Sequence, residues 1–321
     1  MKILIIRFSS FGDIAQCMGA LPVIKKLYPN AEIHWATKAQ FAPLVESSKL
    51  VSKVWALPSK AGTVELIRFG KELKEQGYNL VYDAHVNTRS LVLNLILWGI
   101  PKIKRSKNRF KRFLLFKFRI NKFPNPFKGM ISYIGPIDIS AAPSTQELYF
   151  NKVNKQKVAD LLNDSLSSYI VLAPSAAWEM KRWPVQKWKG LIDRLNEQKF
   201  ILIGGAEDKY FSELEGDRVV NLAGKVSFLE SAYIISLSKG LISADTGALH
   251  LADLMGVPSL ALIGPTAFGY PSNPQSKVIE KEFDCRPCTK DGRGHCSREI
   301  YQECMVAISE DEVAEASRSH F

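Results

Sequence analysis

Ala173-Pro174-Ser175-Ala176-Ala177-Trp178-Glu179-Met180-Lys181-Arg182-Trp183-Pro184 and Asp245-Thr246-Gly247-Ala248-Leu249-His250 are the stretches whose reading decides the fold. The first ends the apolar run 169–173 and the second follows the apolar run 240–243, both of strand type. Each leads into a helix-compatible run, 185–197 or 248–255. Strands that feed helices in this way build a parallel sheet, whose carboxyl ends all reach one rim. The polar groups of both stretches are therefore expected on one rim, around one ligand. Amides at helix starts beside a Lys-Arg pair suit a phosphate.

Working outward, the scheme recurs along the chain. Strand patterns cover 2–7, 32–36, 53–57 and 79–83, with helical runs at 13–27, 63–76 and 88–98. After the breakers Phe123-Pro124-Asn125-Pro126 and Gly135-Pro136 come strands at 169–173, 200–204, 219–222, 240–243 and 259–263, with a further helix at 227–237. The expectation is an α/β protein of two domains, 1–155 and 156–321, with a ligand in the cleft outside the strand ends. A length of 321 residues fits two such domains, and 46% hydrophobic residues supply both cores. Four successive apolar residues, Ile3 to Ile6, are too few for a signal-peptide core. The longest apolar stretch, 91–100, is interrupted by Asn94 and is about half a membrane span. A soluble, cytoplasmic protein is expected.

The net charge of +11 is concentrated in one segment. Residues 84–137 hold no Asp or Glu but twelve Lys or Arg; the 43 basic residues less these leave 31, against 32 acidic. Such a field concentrates an anionic partner. Aromatics alternate with the cations from Lys107 to Arg119, which leaves nucleic acid, an anionic membrane surface and a phosphorylated glycolipid open.

Ser9-Ser10-Phe11-Gly12-Asp13 closes the first strand and opens the first helix. Asp13 either complements the helix dipole or serves as a general base for a sugar hydroxyl. Lys181-Arg182 either holds a diphosphate or forms a solvated loop. Asp245 reads as a ligand group or an N-cap, and His250 as a site residue or a structural one. Trp178 and Trp183 read as packing residues. Gly204-Gly205 is no dinucleotide fingerprint, which argues against a nicotinamide enzyme. Cys285-x2-Cys288-x7-Cys296-x7-Cys304 reads as a closed structural thiolate site for zinc or iron, with incidental thiols as the other reading; Cys17 reads as core.

In chain order, the segments 5–13, 181–184, Asn221-Leu222-Ala223-Gly224, 245–250 and Ile263-Gly264-Pro265-Thr266 together resemble glycosyltransferase family 9, the bacterial heptosyltransferases of lipopolysaccharide core assembly. The resemblance implies a GT-B fold of two Rossmann-like domains, with the donor bound mainly by the second. It implies inverting transfer from ADP-heptose to an anionic glycolipid, a lipid A–Kdo type inner-core acceptor, with no catalytic cofactor. Asp13 would be the base, with Ser10 and Gly12 beside the acceptor. Lys181 and Arg182 would hold the diphosphate, lined by Ser175 and Ala176. Asp245, Thr246, Gly247 and His250 would position the donor, with Glu207 a further contact. Arg89, Lys107, Arg109, Lys111 and Arg112 would meet acceptor phosphates at the inner-leaflet surface of the inner membrane; nucleic acid is not an expected partner.

Two departures stand out. Ala176-Ala177-Trp178 replaces the hydroxyl residues some relatives carry, shifting phosphate binding toward amides. The cysteine cluster resembles a subset that includes iron-binding, protein-modifying heptosyltransferases, which usually have extra N-terminal structure. A protein acceptor or another nucleotide-sugar is the alternative reading. Outside enzymes, the alternative is a basic nucleotide-sensing module on anionic surfaces.

Overall fold

The computed structural model describes residues 1–124, 126–162, 168–206 and 209–321. The chain opens with β1 (Lys2–Ile6), α1 (Phe11–Met18), α2 (Leu21–Leu27), β2 (Glu32–Lys38), α3 (Ala42–Glu46) and β3 (Lys53–Leu57). α4 (Thr63–Lys74), β4 (Leu80–Asp83), α5 (Thr88–Ile96), β5 (Lys102–Lys104), α6 (Arg109–Phe118) and α7 (Ile131–Ile134) follow. Next come α8 (Lys152–Leu162), β6 (Ile170–Ala173), α9 (Val185–Arg194), β7 (Phe200–Leu202), β8 (Val219–Asn221) and α10 (Phe228–Ser236). The last elements are β9 (Gly240–Ala244), α11 (Gly247–Met255), β10 (Ser259–Ile263), β11 (Ser276–Glu280), α12 (Glu303–Val306) and α13 (Glu310–His320).

Two units result. The first comprises 1–108 and 130–149, the second 109–129 and 150–321. Unit 1 holds a five-stranded sheet in the order β3-β2-β1-β4-β5, parallel throughout. Its central strand β1 is apolar on both faces from Ile3 to Ile6 because both faces are covered. Leu4, Ile6 and Val81 pack on one side against Leu66, Phe69 and Leu73 of α4 and Leu93 of α5. Unit 2 holds a six-stranded parallel sheet, β11-β10-β9-β6-β7-β8. Leu172, Leu202, Ile242 and Leu262 pack there with Trp183, Trp188 and Leu191 and with Val313 of α13.

Three features differ from the sequence reading. The helix expected over 13–27 is broken between α1 and α2. A Cβ on Gly19 would overlap the Met130 side chain as it now lies, and Pro22 sits at the start of α2. Edge strands β5 and β11 are additional; β5, Lys-Ile-Lys, has too little apolar content to signal itself. The domain division also departs from a single break at 155. Residues 109–129 cluster with unit 2, and the chain passes finally into that unit after Tyr149. The cause is aromatic: Phe116, Phe123 and Phe127 all set ring edges against Phe268, with centroids 5.1–6.0 Å away, and Arg112 stacks on the same ring at 4.4 Å. Arg119 adds a hydrogen bond of 2.7 Å to the Pro287 carbonyl.

Candidate active site

In unit 1 the site grows from the carboxyl end of β1. Arg7 follows the strand and is almost wholly buried, its guanidinium donating to the Ala84 carbonyl at 2.9 Å. Ser10 precedes α1 as its N-cap, and Asp13 occupies the third helical position. The Asp13 carboxylate accepts from the Ser10 hydroxyl at 2.8 Å and from Tyr133 at 2.7 Å. Arg7 pairs with it at 2.6 Å, and Arg105 lies at 3.7 Å. Burial works to raise the Asp13 carboxyl, but Arg7 and Arg105, with the Tyr133 and Ser10 hydroxyls, hold it well below the usual carboxylate range. The side chain nevertheless keeps 35% exposure, so the ionised group faces solvent. It both caps the helix and presents a charge. Gly12 sits beside it in the first turn of α1.

Tyr133 fixes the other side of this carboxylate. Its hydroxyl accepts from Arg105 at 2.5 Å, and Arg105 stacks over its ring at 3.7 Å. Tyr133 is fully buried and enters unit 1 only through the returning segment 130–149, which no sequence signal announced. Arg105 was hidden among the twelve cations of the basic segment. His85 follows β4, buried edge-on against Phe8 with ring centroids 5.5 Å apart. Burial, with the charges of Arg7, Lys107 and Arg89 nearby, pushes its imidazole down to about 3 and keeps it neutral. Arg89 and Lys107 thus belong to this site's surroundings. Arg109, Lys111 and Arg112 lie on α6, which clusters with unit 2.

In unit 2, β6 and β9 are neighbours, with Ala173 opposite Ser243, so the two decisive stretches leave the sheet side by side. Lys181 reaches across and donates to the Asp245 carbonyl, with its carboxylate at 3.3 Å. Thr266, just beyond β10, donates to the same carboxylate at 2.9 Å, and His250 Nε2 lies at 3.4 Å. Burial works to raise the Asp245 carboxyl; Lys181 and His250 with the Thr266 hydroxyl hold it well below the ordinary range. Asp245 is therefore the post that ties three loops together. Thr266 had been visible in the Gly264-Pro265-Thr266 motif without a role.

Thr246 caps α11, its hydroxyl 2.8 Å from that of Ser243, and Gly247 opens the helix. The half-buried Ser175 and the buried Ala176 form the loop after β6, closed by a 2.9 Å hydrogen bond from Arg182 to the Ala176 carbonyl. Trp183 packs edge-on against Trp188 at 5.0 Å, in the core as expected. Trp178 is instead 41% exposed, with the Arg293 guanidinium over its ring at 4.8 Å. Glu207 lies outside the described residues.

The expected thiolate centre is not assembled. Cys285, Cys288, Cys296 and Cys304 are all free thiols, and among the described residues no three His, Cys, Asp or Glu side chains form a group that would hold an ion. The thiols do sense one another: burial first, then Cys285 and Cys296, push Cys288 up, and burial pushes Cys304 up to about 11. The segment also packs against the rest of unit 2. Cys304 is buried beside Gly264, Gly292 lies against Lys181 and Trp178, and Gln302 donates to the Glu179 carbonyl.

A family model described as glycosyltransferase family 9 (heptosyltransferase) matches residues 66–295. Lipopolysaccharide heptosyltransferase 1 of Pseudomonas aeruginosa is 24% identical over 313 residues, covering 90% of this chain and 86% of that protein. Lipooligosaccharide heptosyltransferase 2 of Haemophilus influenzae is 28% identical over 303 residues, with 84% and 85% covered. The solved structure of ADP-heptose lipopolysaccharide heptosyltransferase II of Escherichia coli superposes with a TM-score of 0.76 at 20% identity, covering 99% of this chain and 98% of that one. The shared architecture is the GT-B fold.

Proposed function

Because the chain belongs to glycosyltransferase family 9, the heptosyltransferases, we propose that it transfers heptose, with inversion, from ADP-heptose to a lipid A–Kdo type inner-core acceptor. The names of its relatives, a lipopolysaccharide heptosyltransferase and an ADP-heptose enzyme, support this donor and acceptor class. The observation that carries the mechanism is a solvent-facing Asp13 kept ionised by Arg7 and Arg105.

In this reading the acceptor hydroxyl attacks the anomeric carbon of heptose. Its oxygen–carbon bond forms as the bond from that carbon to the ADP phosphate breaks, and Asp13 takes the hydroxyl proton. A carboxylate held so far below its usual range is a weak base, which makes proton transfer late, after most of the new bond has formed. The charge developing on ADP is met by the free amides at the start of α11 and by Arg182 beside Ala176. Lys181, engaged with Asp245, contributes by holding the loops in register rather than as a free cation. These steps need no catalytic cofactor, and none is routed through the cysteines. Arg89 and Lys107, whose charges act on His85, would meet acceptor phosphates. Because the acceptor is lipid-anchored, the enzyme works at a membrane surface, on the inner leaflet of the inner membrane; among the described residues no helix is long and apolar enough to cross one.

The test is to incubate the protein with ADP-heptose and deacylated inner-core acceptors and weigh the products. The expected result is an acceptor heavier by one heptose residue, with ADP released. Release of ADP without a heavier acceptor, or no reaction with any core acceptor, refutes the proposal.

A further inference from the structure

α5 is built the wrong way round for a surface helix. Its polar residues point inward: Ser90 and Asn94 are buried, and Asn94 donates to the buried Asp83 carboxylate at 2.6 Å. Three of its large apolar residues point outward. Leu91 is 55% exposed, Leu95 62%, and Trp98, in the turn that ends the helix, 80%. Positions 91, 95 and 98 follow a spacing of four and three, so they form one stripe. The inner face is also apolar, with Leu93 and Leu97 fully buried, which is why 91–100 reads as a continuous hydrophobic stretch in sequence. Single exposed leucines need no explanation, but an ordered stripe of three large side chains opposite a core face does.

Within the stripe's own segment, residues 84–137, the charge has one sign. Lys102 donates to the carbonyls of Leu97 and Ile100, at 2.8 and 2.9 Å, which seats its ammonium at the end of the helix next to Trp98. Lys104 is exposed beyond it on β5, and residues 84–137 contain no carboxylate side chain to oppose either. Apolar side chains with a tryptophan at the end, bordered by cations, match the two layers of a bilayer surface carrying anionic headgroups. A nucleic acid would satisfy the charges and leave the leucines wet.

We propose that the outer face of α5 is a membrane-docking surface, which inserts Leu91, Leu95 and Trp98 at the headgroup–acyl boundary of a bilayer containing anionic lipid. This deepens the reading of the protein as an enzyme acting on a lipid-anchored acceptor and rests on it for its purpose. The insertion holds unit 1, which carries Asp13, at the surface where such an acceptor is displayed.

The full chain, without donor or acceptor, is floated with phosphatidylcholine vesicles with and without phosphatidylglycerol. Binding is expected to the anionic vesicles and to weaken with salt. The Leu91→Gln/Leu95→Gln/Trp98→Gln variant should lose about tenfold or more of its partitioning. It should keep its melting profile and its transfer to a deacylated, water-soluble acceptor, because none of the three residues touches the site. Vesicle addition should shift tryptophan emission to shorter wavelength in the parent protein and less in Trp98→Phe. Equal vesicle binding by parent and triple variant overturns the proposal. So does a concentration-dependent dimer that the triple variant abolishes while vesicle binding is absent, since a second copy would then cover the face. Absence of heptose transfer to the deacylated acceptor, with vesicle binding intact, overturns the proposed activity and leaves the docking surface standing.

Discussion

Asp13→Asn keeps the shape of the side chain and removes its charge and basicity, so its two consequences can be separated. For catalysis, a positioned general base contributes about 10²–10⁴ in rate, or about 3–5 kcal/mol of barrier. Turnover should fall by that factor. The loops to which donor binding is assigned belong to unit 2 and residue 13 to unit 1, so ADP-heptose affinity should stay within about twofold. For stability, Arg7 loses the anion paired with it at 2.6 Å while its own side chain is only 6% exposed. Breaking a buried pair costs about 3–5 kcal/mol. The 35% exposure of Asp13 lets water screen the interaction, and about 1–2 kcal/mol is the discounted expectation. The sign with pH follows from the lowered carboxyl. The stabilisation is complete above the unfolded-state value of about 3.9 and is lost as pH falls through the lower folded value. The gap between parent and variant should therefore be flat from neutrality to about pH 4–5 and close only in stronger acid. Steady-state kinetics, donor titration and denaturant melts at several pH values measure these quantities. Near-normal turnover in the variant refutes the base assignment. A loss of turnover matched by an equal loss of donor affinity refutes the separation of roles.

Lys181→Met strips the buried Asp245 carboxylate of its cation and should lower kcat/KM by about 10²-fold or more; donor binding unchanged by calorimetry would count against a role for this loop. Gly269→Ala would drive a Cβ into the Asp245 carboxylate, so it should weaken ADP-heptose binding without altering unit 1, with ADP titration as the check. His85 stays neutral when folded down to about 3, whereas an unfolded histidine takes up a proton near 6.5. The native state therefore loses stability as pH falls from about 6.5 toward 3, at up to about 1.4 kcal/mol per pH unit. His85→Gln should flatten that part of the profile, and an unchanged slope in urea melts would disprove the assignment. Tyr133→Phe removes one donor to Asp13 and should lower kcat about tenfold or more with donor KM unchanged; a rise in donor KM alone would show that Tyr133 does not act through the base.

The most legible parts of the chain were those with strong periodicity or a local backbone role. β1, β6 and β10 each hold four successive apolar residues, and continuity of that kind means a strand covered on both faces. The loops after β6 and β9 were legible because a strand end, a helix start and a Lys-Arg pair are all local signals. β5 was not, since a three-residue edge strand buries too little to impose a pattern. The cysteine spacing pointed to a metal, but spacing sets only which thiols are near in sequence. The packing of Cys304 beside Gly264 and of Gly292 against Lys181 decides where the sulfurs go.

The sequence by itself determined two parallel α/β sheets and set Asp13, Lys181 and Asp245 beyond strand ends, where helices start, because that follows from the alternation of strands and helices. Only the tertiary structure decided which groups surround them. Tyr133 reaches Asp13 across 120 residues of chain, and Lys181 reaches Asp245 across 64. It also decided that residues 109–129 leave the unit that precedes them, drawn by Phe268, and that α5 turns its leucines outward. Ion pairing and aromatic packing act over a few ångströms between residues far apart in sequence, so no local pattern records them.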